Sequence, residues 1–150
     1  MAVLTSMTEA IIRHLTVNDG ENALRLYTEL TFGPPANDLS AFARVINHPG
    51  TSVLGAFAQD TLVAMVTLHL LPNVTMDARP YALIENVVTT ASHRRQGIGR
   101  RLLDAAAERA WAANCYKIML LTGAKRGVED FYCAAGFSSE DKTAMVLRRP

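Results

Sequence analysis

The chain has 150 residues, 15 Lys and Arg against 14 Asp and Glu, and a formal net charge of +1. That length fits one domain spanning 1–150 with a core of its own, and the near-neutral charge supplies no field to recruit nucleic acid or an anionic membrane. Two cysteines are too few for a disulfide framework. With no bilayer-length apolar run and no signal-like N-terminus at Met1–Ser6, they fit a reduced, cytoplasmic chain.

Ala10–Leu15 reads as a first strand. Asn18 or Asp19 can cap a helix to about Leu30, whose Ala23, Leu26, Tyr27 and Leu30 recur at helical spacing. Gly33-Pro34-Pro35 breaks the chain, and Asp38 or Ser40 starts a second helix through Phe42, Val45 and Ile46. Ser52–Ala58 and Leu62–Leu70, joined at Gln59-Asp60, read as a hairpin. A polar connection from Pro72 to Pro80 leads into Tyr81–Val88, which is nearly continuous in apolar residues and therefore central. A helix from Gly97 to Ala113, with Asn114 at its C-terminal end, is rich in Ala, Leu and Arg. Lys117–Leu121 is the next strand, and the crossover between the two should be parallel and right-handed. Gly127–Ala135 reads as a last amphipathic helix stopped by Gly136, and Phe137 with Ala144–Leu147 supplies a closing strand. The expected fold is α+β: a three-layer α/β/α arrangement, its mixed, mostly antiparallel sheet holding one central parallel βαβ crossover.

The informative stretch is His93-Arg94-Arg95-Gln96-Gly97-Ile98-Gly99-Arg100, where the central strand feeds a helix. The first turn of a helix carries unpaired amides and the positive end of the dipole, which together make an anion site. Gly97 and Gly99 let a phosphate approach the backbone. Arg94, Arg95, Arg100 and Arg101 add local charge, although a solvated arginine face would look the same. A dinucleotide fingerprint needs Gly or Ala where Leu102 stands, and an acidic residue where the next strand ends Leu120-Leu121-Thr122. No Gly-Lys-Ser/Thr ending occurs for a Walker loop.

Arg94 through Gly99 resembles the signature of the GNAT superfamily of N-acetyltransferases: Gln or Arg, two residues, Gly, one residue, then Gly or Ala. The strand Ile84–Val88 before it, Leu102-Leu103 after it, and Phe131-Tyr132 with Gly136-Phe137 further on resemble that family's context. The resemblance implies acetyl-CoA as cosubstrate and no metal. Amides of Gln96, Gly97, Ile98, Gly99, Arg100 and Arg101 would hold its pyrophosphate. The edge of Val87-Val88-Thr89 would bind pantetheine like an added strand, where two parallel strands splay apart, and Phe131 belongs with these residues mainly by packing. Tyr132 matches the tyrosine that protonates the leaving thiolate, whereas periodicity alone makes it a packed core residue.

Glu85 and Asn86 are polar residues on a central strand. Glu85 is a candidate general base, directly or through water, or else a satisfied structural carboxylate. A main-chain N–H near Val87 is expected to polarise the thioester carbonyl. In many relatives an Asn stands where Lys125, followed by Arg126, stands here. The four histidines, His14, His48, His69 and His93, show no metal spacing and read as structural or exposed. The expected acceptor is a primary amine of a small molecule, walled by the Pro72–Pro80 loop and the two N-terminal helices; a homodimer is compatible with the resemblance. Ile84–Val88 and Cys115–Ile118 are similar to stretches of glucosamine-6-phosphate N-acetyltransferases, though also to many small GNAT proteins. Readings kept beside this one are a protein amine as acceptor and a non-catalytic acyl-CoA sensor.

Overall fold

The computed structural model describes residues 9–123 and 126–150. In chain order these form β1 (Ile11–His14), α1 (Gly20–Leu30), α2 (Leu39–Asn47), β2 (Thr51–Ala58), β3 (Thr61–Leu71), a single turn α3 (Thr75–Ala78), β4 (Tyr81–Thr89), α4 (Ile98–Ala112), β5 (Ile118–Leu120) and α5 (Glu129–Ala134). The strands make one sheet in the order β1-β2-β3-β4-β5. The first four pair antiparallel, and β4 pairs β5 in parallel. The parallel pair follows from the crossover through α4, since antiparallel neighbours need only tight turns. Gln59 and Asp60, both at positive φ, make such a turn between β2 and β3. The fold is α+β with a mixed five-stranded sheet, as the sequence pattern led one to expect.

Alternation along the strands buries both faces of the sheet. One face packs Val63, Val66, Leu68, Ala82 and Ile84 against Ile98, Leu102, Leu103, Ala106 and Ala110 of α4. The other packs Val53, Leu62, Met65 and Val88 against Ala23 and Leu26 of α1 and Phe42 of α2. Each helix shows the sheet its apolar stripe, and each large apolar core side chain (Val, Leu, Ile, Met or Phe) removed from water contributes about 1.5–3 kcal/mol before the entropy of ordering is counted.

The helix ends follow local chemistry with one exception. Asp38 caps α2, its carboxylate accepting from the Ala41 N–H at 3.0 Å. Asn114, at φ 63, closes α4 in the left-handed conformation. Asp19 precedes α1 but makes no capping bond there. Its carboxylate takes two 2.9 Å bonds from Arg13 and one at 2.8 Å from the Thr16 N–H, tying β1 to the start of α1. The Arg13 hydrogen bond is the main reason the Asp19 pKa lies below the ordinary carboxylate value.

The closing strand expected at Ala144–Leu147 does not form. Met145, Val146 and Leu147 are 90%, 63% and 100% exposed and lie in no element. Strand propensity expresses itself only against a paired edge and a packed face, and this segment has neither. Phe137 turns inward instead: Gly136, at φ 94, redirects the chain after α5 so that the ring packs on the α4-side core.

Candidate active site

The turn from β4 into α4 has the geometry of an anion cradle. Arg95 (φ 61) and Gly97 (φ 79) are both left-handed, which folds successive amides toward one side. Gly97 is the N-cap of α4, and no side chain caps the helix. The first intrahelical bond is Arg101 N–H to Gly97 O, at 3.1 Å. The amides of Gly97, Ile98, Gly99 and Arg100 precede it and have no intrahelical acceptor. Nothing lies within 4 Å of where a Gly97 Cβ would sit, so the space above the cradle is open. Gly99 is glycine for another reason. A Cβ there would stand 3.3 Å from Phe131 Cζ and 3.5 Å from Thr89 Oγ1, so its lack of a side chain lets α5, β4 and α4 meet.

Below the cradle the sheet splits. β5 pairs with β4 only at Ala82, Leu83 and Ile84, while β4 runs on to Thr89. The Glu85–Thr89 edge thus faces a gap that an extended chain could fill by strand addition. On its other side β4 carries a bulge, because the register with β3 slips between Met65↔Val88 and Thr67↔Glu85, with Asn86 at φ 52. A bulge leaves its extra residue unpaired and re-aims the backbone, here at Asn86 and Val87.

α5 carries Tyr132 onto the α4 side of the sheet. Its ring meets Phe131 edge-on at 5.1 Å and Phe137 at 6.2 Å, on the rim of the α4-side core. Burial raises the Tyr132 pKa and the Arg126 cation offsets part of that rise. The phenol therefore holds its proton at neutral pH, as a proton donor must.

On the opposite face lies a cavity of about 220 Å³. Ala41, Phe42 and Val45 of α2 and Tyr27 of α1 wall it, and Thr67, His69 and Asn86 supply its polar surface from β3 and β4. Burial raises the Tyr27 pKa, and the neighbouring Thr67 hydroxyl offsets part of that rise. Glu85 is the cross-strand partner of Thr67 and so shares this face. Asn86 belongs both to the cavity and to the bulge, which connects the cavity to the split in the sheet.

Comparison with known proteins gives the family. The family model described as Acetyltransferase (GNAT) family matches residues 18–137. The chain belongs to the GNAT acetyltransferase family. A protein of Agrobacterium tumefaciens named as an acetyltransferase is 38% identical, with a TM-score of 0.88 over 93% of this chain and 99% of that one. A Trypanosoma brucei brucei protein named glucosamine 6-phosphate N-acetyltransferase is 27% identical over 93% of this chain and 96% of its own length. The Arabidopsis thaliana glucosamine-6-phosphate N-acetyltransferase structure shares the fold at 17% identity and TM-score 0.81, over 95% and 99% of the two chains. As a GNAT protein the chain is an acyltransferase of the EC 2.3.1 type, and the family implies acetyl-CoA as donor.

Within this GNAT chain the motif arginines diverge in direction. Arg95 forms no hydrogen bond among the described residues, whereas Arg94 Nε donates to Thr89 O at 3.0 Å. Arg100 reaches Asp104 and, at 2.6 Å, Ala134 O at the end of α5. Arg101 leaves the cradle altogether: its guanidinium binds Ala10 O and Glu9, and its amide is already paired to Gly97 O. Arg126 donates to Leu30 O at the end of α1. Lys125 lies outside the described residues. α1 and α2 wall the cavity, and no residue of the Pro72–Pro80 loop lines it. His69 is a cavity-lining residue that sequence reading took as structural or exposed. Strand alternation from Met65 through Thr67 to His69 was the available signal.

Proposed function

We propose that this GNAT protein transfers the acetyl group of acetyl-CoA to the primary amine of a small molecule, by direct attack in a ternary complex. The carrying observation is continuity. The free amides of α4, the unpaired Glu85–Thr89 edge and the Asn86-lined cavity form one path from an anion site to a half-open acceptor site. The residues fit the cosubstrate. Amides of Gly97 to Arg100, with Gln96, Arg94 and Arg95 on the same exposed turn, suit a pyrophosphate. The Val87-Val88-Thr89 edge suits the two amides of pantetheine. Phe131, over Gly99, keeps the passage narrow.

An unpaired N–H at the bulge near Val87 would polarise the thioester carbonyl. The neutral amine attacks, the C–S bond breaks, and the Tyr132 phenol protonates the departing thiolate. Glu85, on the acceptor face, is available to take or relay the proton lost by the amine. The cavity's small size favours a metabolite over a protein amine, and the name of the Trypanosoma relative points to an amino sugar phosphate among such acceptors. Cys115 and Cys133 are both free thiols, which suits a cytoplasmic site of action.

The test is a panel of primary amines, amino sugar phosphates included, mixed with acetyl-CoA and read by release of free CoA. Release with one class of small amine is the expected result. Acetyl-CoA binding without turnover on any amine would point to a sensor instead.

A further inference from the structure

Three polar residues outside the family motif join the cavity to solvent. His69 lines the cavity, and its Nδ1 lies 2.8 Å from Thr51 Oγ1. The same oxygen lies 3.0 Å from Nδ1 of His48, an exposed residue at the C-terminal cap of α2. The contacts arise from topology. Thr51 is the cross-strand partner of His69, and α2 delivers His48 directly into β2.

A threonine hydroxyl has one proton, so it can donate to only one of the two rings. When it donates to His48 Nδ1, His69 must present Nδ1–H to the oxygen. Its Nε2 lone pair is then bare, and no described residue occupies it. That is the tautomer a base requires, and an imidazole suits proton transfer near neutral pH.

We infer that His69 Nε2 takes a proton from the acceptor's ammonium group, and that Thr51 and His48 carry a proton from the cavity to solvent. This rests on the acetyl-transfer reading above. The balance is simple. The ammonium loses one proton to His69. His69 Nδ1–H passes its proton to Thr51 Oγ1, the Thr51 hydroxyl proton moves to His48 Nδ1, and His48 releases one to water. The neutral amine then forms the C–N bond as the C–S bond breaks. The second proton lost by nitrogen balances the one the thiolate gains from Tyr132. Thr51 is a positioning residue in this scheme.

Among the described residues, the titratable or charged groups around His69 are few. They are His48 through Thr51, the Tyr27 phenol across the cavity, Glu85 diagonally across β4, and Arg44 on α2, which is held by Ser40 and Asp38. Glu85 does not line the cavity, so it ranks behind His69 as the direct proton acceptor.

The experiment compares His69→Gln, Thr51→Val, Thr51→Ser, His48→Gln and Glu85→Gln with the unaltered protein, using the amine that turns over in the panel. For His69→Gln, kcat/KM should fall about 100-fold at neutral pH and the acidic limb of the profile should disappear, with acetyl-CoA affinity unchanged. Thr51→Val and His48→Gln should lose part of that rate, and Thr51→Ser should restore it. An acidic limb and rate that survive His69→Gln, or a larger loss from Glu85→Gln, would overturn the inference and leave acetyl transfer standing. If no amine turns over, the transfer reading fails. The imidazole nitrogen NMR signals, followed during titration with D-glucosamine 6-phosphate and the panel amines, then decide for His69. An Nε2 signal that moves supports it, and one that none of them moves overturns it.

Discussion

The two halves of the proposed site are built differently. The cofactor half is made of backbone: amides at the head of α4, the open edge of β4, and glycines chosen for what they lack. The acceptor half is made of side chains from four elements, with Tyr27, Phe42, Thr67, His69 and Asn86 meeting only because α1 and α2 cross over β3 and β4. A backbone site tolerates almost any residue that keeps the conformation, and few that do not. A side-chain site can be redrawn one residue at a time. One fold can therefore hold a constant donor while its acceptor changes.

The sharpest way to break this contrast is Gly97→Glu. At φ 79 any L side chain is strained, and a carboxylate would point into the open space above the cradle. Strain, occlusion and charge repulsion together should weaken acetyl-CoA binding by on the order of 100-fold or more, measured by calorimetry. Affinity that survives would remove the pyrophosphate from this turn. Tyr132→Phe comes next. It should lower kcat about 100-fold with acetyl-CoA affinity preserved, because the phenol acts after binding. Since burial raises the Tyr132 pKa, the basic limb that this variant abolishes should lie above the ordinary tyrosine range. Equal losses in kcat and in affinity would instead mark the ring as packing.

The smallest effect expected is in the acceptor half. Asp19→Asn cuts the tie between β1 and α1, whose partner Arg13 is half exposed, so the loss should be about 1 kcal/mol at neutral pH. Arg13 holds the folded-state pKa of Asp19 below its ordinary value. The contribution is therefore present above the carboxylate range and lost as pH falls through the lower, folded value. Denaturant melts of the two proteins should differ at pH 7 and converge at the acid end. A gap that persists in acid would mean that packing, not charge, holds the α1 wall.

Some features could be read from the residues because their causes are local. Asp38 caps α2 by a contact three residues long, Gln59-Asp60 turns the hairpin, and Gly97 heads α4. The cofactor cradle shares that locality, as strand, turn and helix are consecutive in the chain. Ala144–Leu147 had the composition of a strand and found no edge, since pairing depends on what stands beside a segment. Arg101 looked like part of the cradle until its helical direction carried it to Ala10 and Glu9.

By itself the sequence determined the order of elements as far as α5, the apolar faces and the open turn at the head of α4, since each depends on periodicity or a short motif. Only the tertiary structure decided where the sheet splits, which face of β4 carries Glu85, and that His69, Thr51 and His48 touch. Those facts depend on register and crossover, which bring together residues far apart in the chain. No local preference encodes such a meeting.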